Sequence, residues 1–255
     1  MEEATAAQLL AAYEGALTTA KGESIAPCEA LLKALKAAAE NDFPLSSIDL
    51  RGNIIGGPGG APLGKMLALD SFITFANLEE IDLGDEGVTA VADALRNHPA
   101  VFRLDLGYNA ISGKGAKAVE RLMTDSPSLL CLDLSGNNFY ARLGMLTPAA
   151  LSALAPIGRA LAAPTCKLQL LHLDRADIEH KGLTALVDGL LKNETLLNLR
   201  LGENALDAKA RPALISPPAP APLRTRPSSP RLPPRPHPHR SARPCSPSSS
   251  SRTTR

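Results

Sequence analysis

Apolar residues recur through the middle of this chain as L-x-x-[LIV]-x-L, and several copies are closed by an asparagine three positions on. The copies run Leu45-Ile48-Leu50-Asn53, Leu78-Ile81-Leu83, Val101-Leu104-Leu106-Asn109, Leu129-Leu132-Leu134-Asn137, Leu168-Leu171-Leu173 and Leu196-Leu199-Leu201-Asn204. Alternation inside the motif is strand spacing: the fourth and sixth residues point into a core, while the third, fifth and seventh face the other way. After the motif the spacing becomes helical, with Val119 and Leu122 following Gly115, and Leu186 and Leu190 following Gly182. Each unit therefore predicts a short strand, a bend and an amphipathic helix. One such unit cannot bury its own apolar face, so successive units must stack.

The first positions fall at 45, 78, 101, 129, 168 and 196, separated by 33, 23, 28, 39 and 28 residues. On this reading the unit from Leu78 is about five residues short after Gly84-Asp85, where the asparagine and the following isoleucine should stand. The unit from Leu129 carries extra residues between Phe139 and Pro148, ahead of a helix starting near Ala149. Before the repeats, Ala4 to Ala20 and Pro27 to Glu40 read as two helices joined at Lys21 to Ser24. The second carries Leu31, Ala34, Leu35 and Ala38 on one face. A helix pair in this place is predicted to cap the open end of the stack.

With these motifs and a modal period of 28, residues Leu45 to Leu214 resemble the ribonuclease-inhibitor-like leucine-rich repeat family, which includes Ran GTPase-activating proteins and the sensor regions of intracellular immune receptors. The resemblance implies an α/β solenoid: a right-handed horseshoe with a parallel sheet inside, helices outside and a helical N-terminal cap. The expected organisation is a cap over 1–44, about six repeats over 45–214, and a tail over 215–255. It also implies a non-enzymatic module that binds a partner protein on its concave sheet face. Two alternatives stay open: a GTPase activator of the Ran type acting on a small GTPase, or part of a larger receptor or axonemal regulatory assembly. Ran-type activators are expected to carry a strongly acidic segment after the repeats, whereas this chain has a basic one, so no catalytic residue is carried over.

Composition fits an aliphatic stack, with 44% apolar residues but no Trp, three Tyr and five Phe. The four cysteines, at 28, 131, 166 and 245, form no C-x-x-C pair, which argues against a zinc site or a disulfide framework. The start Met-Glu-Glu-Ala-Thr lacks the basic and apolar regions of a signal peptide, and no apolar run approaches the ~20 residues of a membrane span. A soluble, intracellular and most simply cytoplasmic protein is expected. The net charge of +1 conceals an uneven distribution. Residues 216 to 255 hold eight Arg, no acid, twelve Pro and nine Ser, a composition predicted to stay disordered and to attract nucleic acid only nonspecifically. A genuine basic tail and an out-of-frame coding sequence both fit it. Two Pro-Arg stretches there, Arg224 to Pro230 and Pro230 to Arg235, match SH3-ligand spacing.

Catalytic motifs are missing: no H-E-x-x-H and no G-x-S-x-G occurs, and no catalytic, metal or cofactor site is expected. Gly59 to Lys65 fits G-x-x-x-x-G-K, but Met66 stands where a magnesium-holding hydroxyl is needed and Pro62 removes a backbone donor. The fifth motif position reads Asp49, Asp82, Asp105, Asp133, His172, Arg200, predicting a carboxylate ladder that turns basic at its far end and receives Lys or Arg from a protein ligand. Arg103 at the third position and Tyr108 at the eighth are the expected contact anchors. Glu80 and Asp85 fall at the third and eighth positions of the second unit on the same alignment. Asn53, Asn109, Asn137 and Asn204 are expected to be structural, because an amide supplies both a donor and an acceptor to turn backbone.

Overall fold

The computed structural model describes residues 3–19, 21–137, 139, 154–178 and 180–206. The expected α/β solenoid is present. Two helices come first, α1 (Ala6–Gly15) and α2 (Glu29–Asn41), and then strands and helices alternate: β1 (Ser47–Asp49), α3 (Gly56–Leu69), β2 (Phe75–Asn77), α4 (Gly84–Leu95), β3 (Arg103–Asp105), α5 (Gly113–Asp125), β4 (Cys131–Asp133), α6 (Ala155–Ala162), β5 (Leu170–His172), α7 (His180–Leu190) and β6 (Asn198–Arg200). The six strands pair in chain order, every pair parallel. Each helix from α3 to α7 packs against the next, and α1 packs against both α2 and α3. Parallel neighbours need such a crossover, and the helix of each unit supplies it.

Register corrects the sequence reading in one unit. Ser47, Phe75, Arg103, Cys131, Leu170 and Asn198 are successive partners across the sheet. The second unit therefore starts at Ile73, not Leu78, and it is a full 28-residue unit with Ala76 and Leu78 pointing inward. The misleading signal was Ile81, which is fully buried at the place where the third and fourth units carry the buried Asn109 and Asn137. An aliphatic side chain there turned Leu78-Ile81-Leu83 into a false copy of the strand motif.

The asparagines do what an amide at a buried bend can do. Asn137 Oδ1 accepts from the backbone of Asn109 and Ile111, both at 3.0 Å, while its Nδ2 donates to the carbonyls of Leu106 and Leu134 at 2.9 Å. Asn109 does the same for Ile81 and Leu83, and Asn204 for Ala176 and Ile178. Each of these three amides serves the unit before its own. Asn53 only donates, to Leu50 and Arg51. Where Ile81 replaces asparagine, its backbone carbonyl accepts from Ile55 at 2.9 Å instead.

A second recurring device closes four of the helices back onto the next strand, and the sequence reading did not single it out. Asp70 Oδ2 accepts from Phe72 and Ile73, His98 Nδ1 from Ala100 and Val101, Ser126 Oγ from Ser128 and Leu129, and Asn193 Oδ1 from Thr195 and Leu196. With two amides aimed at Nδ1, the His98 proton must sit on Nε2, where it donates to Asp70 Oδ2 at 3.3 Å.

The Gly-rich stretch is helix. All of Gly59 to Lys65 lies inside α3, and a Cβ on Gly60 would strike the backbone of Gly87 in α4. Gly60 and Gly64 serve close helix packing, as do Gly158 in α6 and Gly189 in α7, where the backbones approach in the same way. At the N-terminus α1 stops at Gly15, short of the expected Ala20, because Thr18 and Ser24 form an antiparallel bridge around Lys21-Gly22. β-branched threonines favour that extended path. A capping box between Thr5 and Gln8 sets its start. Leu9, Tyr13, Leu31 and Leu35 join one buried cluster with Ile48 and the repeat leucines, so the helix pair covers the first strand's side of the core. The helix start near Ala149 and the whole stretch beyond residue 206 lie outside the described residues.

Candidate interaction face

The open sheet face carries the third and fifth motif positions. At the fifth, the paired series is Asp49, Asn77, Asp105, Asp133, His172, Arg200. Asp82 is not among them. It is exposed in the bend ahead of α4 with φ 58°, five residues past the position assigned to it, because the second unit begins earlier than the motif implied. The uninterrupted four-carboxylate ladder is therefore replaced by three carboxylates, with the amide of Asn77 separating Asp49 from Asp105.

Two of the three are already engaged. Arg103 grips Asp105 with both arms, Nε to Oδ1 at 3.1 Å and the terminal nitrogen to Oδ2 at 2.9 Å. That hydrogen bond, ahead of an opposing desolvation, holds the guanidinium above its ordinary pKa. The same guanidinium lies 5.0 Å from the Phe75 ring centre, a cation–π distance. Asp133 Oδ2 meets His172 Nδ1 at 3.0 Å, and its Oδ1 accepts from Ser135. His172 Nε2 is buried without a hydrogen-bond partner among the described residues. Asp49 is exposed and accepts only from its neighbouring Arg51 amide among the described contacts. Arg200, also exposed, stands beside His172 on the last strand. Across the sheet the fifth position thus runs from Asp49 on the first strand to Arg200 on the last.

Beyond the strands' C-terminal ends runs a ridge formed by the eighth position: Gly52, Glu80, Tyr108, Gly136, Arg175, Glu203. All six have positive φ, between 53° and 71°. In the units from Gly52 to Arg175, the amide there donates to the seventh-position carbonyl of the next unit, for example Tyr108 to Ser135 at 2.8 Å. Glycine adopts this backbone freely, whereas other residues pay roughly 1–2 kcal/mol. Tyr108 nonetheless stands here, 41% exposed. Its ring occupies the space that a side chain on Gly136 would need, and its hydroxyl accepts from Arg175 at 3.2 Å. Arg175 in turn clamps Glu203 through two bonds of 2.7 and 2.8 Å, which lowers the Glu203 pKa and raises that of Arg175. One connected line of side chains thus spans the third to the sixth unit.

Glu80 belongs to this ridge and not to the third position. Asp85 belongs to neither: it begins α4 and accepts from Ser112 and Gly115 at the start of α5, at 2.7 and 2.9 Å. Phe75 was missed by the sequence reading. Counting 28 residues back from Arg103 would have found it.

A family model described as Leucine Rich repeat matches residues 103–119. NACHT, LRR and PYD domains-containing protein 5 of Mus musculus is 27% identical over 146 residues, covering 56% of this chain and 12% of that protein. NACHT, LRR and PYD domains-containing protein 14 of Mus musculus is 29% identical over 145 residues, covering 56% and 14%. The chain spans about an eighth of the length of these curated relatives. Among solved structures, actin-binding site 2 of leiomodin-1 is similar with a TM-score of 0.44 and 17% identity, over 74% of this chain and 87% of that one.

Proposed function

We propose that the chain, a leucine-rich repeat protein of the ribonuclease-inhibitor-like kind, is a non-enzymatic interaction module that grips another protein across its open sheet face and the adjoining ridge. The observation that carries this reading is Tyr108. An exposed aromatic is kept at a backbone position where glycine would be unstrained, and neighbours from two other units orient it. Strain retained at an exposed side chain points to use of that side chain. Tyrosine and arginine are also the residues that dominate contact energies once a partner excludes water.

Arg103 and Tyr108 are the proposed anchors, with Asp49, Asp105, Asp133, His172 and Arg200 setting charge preference along the face. Because Asp105 and Asp133 are held by Arg103 and His172, the partner's cations would find their free carboxylate at Asp49. The similarity to two proteins whose names pair LRR with NACHT and PYD domains favours a second reading, in which the repeats serve as the recognition part of a larger receptor.

Affinity capture followed by binding measurements tests both readings. For the true partner, Tyr108→Ala and Arg103→Ala should each weaken binding at least about tenfold, a hot-spot loss. Lys117→Glu, on the exposed side of α5, should leave it unchanged. Equal affinity for all four proteins would remove the open face from consideration.

A further inference from the structure

At the opposite edge of the sheet, where the chain enters the first two strands, the structure holds a cavity of about 180 Å³. Glu3, Leu9, Asp42, Phe43, Asp70 and Phe72 are among the residues that line it, so α1 forms one wall and the turns before β1 and β2 form the others. Drug-sized ligands need roughly 300 Å³ or more. This space suits a single side chain.

Its chemistry is specific. The Asp70 side chain is fully buried, and its Oδ2 is saturated by the amides of Phe72 and Ile73 and by His98 Nε2. Among the described residues Asp70 Oδ1 has no hydrogen-bond partner, nor has the neighbouring Ser71 Oγ. A buried carboxylate oxygen left bare is costly, and here it belongs to a residue that lines a cavity. His98 Nδ1 is taken up as an acceptor by two amides, so its ring meets Asp70 only through Nε2 and does not reach Oδ1. Glu3 and Asp42 make no ion pair among the described residues, and no cationic residue lines the cavity. Phe43, 68% exposed, and Phe72 add aromatic surface at the same place.

The missing group is thus a cationic hydrogen-bond donor that tolerates aromatic walls. A divalent metal does not fit, because no three acidic, His or Cys side chains among the described residues converge to hold one. An ammonium is compact and strongly hydrated. A guanidinium is flat, less hydrated, stacks on aromatic faces and carries five donors. We propose that this pocket is a binding site for an arginine side chain presented by a partner peptide. It stands independently of the open-face reading, with different residues on the other edge of the sheet.

The test is a titration of the ¹⁵N-labelled full chain with acetyl-Gly-Arg-Gly-amide, followed by amide shifts. Saturable shifts are expected at Thr5, Phe43, Ser71 and Phe72, with a weaker response to acetyl-Gly-Lys-Gly-amide. Asp70→Asn keeps an acceptor for the turn amides and should weaken binding about tenfold, as the loss of one charge-assisted hydrogen bond predicts. Phe43→Ala, at an exposed position, should weaken it without disturbing the fold. Three results would overturn the proposal: no saturable shift at these amides, equal shifts with the lysine peptide, or shifts that persist undiminished in both variants. Calcium reproducing the shifts where the arginine peptide does not would overturn it as well.

Discussion

Asn109 shows how much one side chain can hold. It is fully buried, and its amide satisfies the amides of Ile81 and Leu83 and the carbonyls of Leu78 and Gly107. Alanine would strand three backbone groups away from water, the Gly107 carbonyl keeping the Glu80 amide, so Asn109→Ala should cost at least about 3 kcal/mol in urea unfolding. Asn53→Ala should cost under about 1 kcal/mol, because Asn53 is half-exposed and serves only two carbonyls of its own bend. Equal losses would contradict the cross-unit role of the buried amide. The recurrence of asparagine at one bend of the motif was legible in the sequence, and its bonds to the preceding unit were not. The φ of Tyr108 was not, since nothing in a tyrosine signals a left-handed backbone; the sign lay in Gly52 and Gly136 at the same position of other units.

Among the elements, α3 and α4 show why composition alone misleads. Glycine inside a helix normally weakens it by up to about 1 kcal/mol relative to alanine. Gly60 reverses that rule, because a methyl there would meet the Gly87 backbone. Gly60→Ala should therefore destabilise the protein by about 1–3 kcal/mol, as overpacking does. At Gly15, in the last turn of α1, a Cβ would meet nothing within 4 Å, and alanine should stabilise by up to about 1 kcal/mol. Thermal unfolding of the two variants decides between packing and propensity. The helices were legible as periodic apolar stripes. The second strand was displaced by five residues because Ala76 is a weak strand signal and Ile81 a strong false one, and the displacement put Asp82 on a face it does not occupy.

For the whole molecule, the stack and its parallel sheet follow from the repeating apolar ridge, and so does the neighbourhood of Asp133 and His172, whereas a contact that skips a unit, such as Tyr108 with Arg175, was not legible. The N-terminal helices join the same core through Tyr13, whose buried hydroxyl accepts from the Cys28 amide at 2.9 Å. Burial is the largest influence on that phenol, and it raises the pKa above the ordinary value of 10.0. The unfolded chain then ionises first as pH rises, so this contribution to stability is complete below about pH 10 and is lost as pH climbs through the folded value. Urea midpoints measured from pH 8 to 11 should fall on the alkaline side, and Tyr13→Phe should flatten that fall while costing about 1 kcal/mol at neutral pH. An unchanged slope in the variant would assign the alkaline loss elsewhere.

The direction of the amide bonds also has a temporal consequence. Asn109, Asn137 and Asn204 each seal the bend of the coil that precedes them, so during synthesis a newly emerged coil waits for its successor before its own backbone is satisfied. The first junction follows the same order with a different group, since the main-chain carbonyl of Ile81 closes it. The opening coil too is finished only when the chain reaches Ile81 in the second coil, so at these junctions closure trails synthesis by part of a coil.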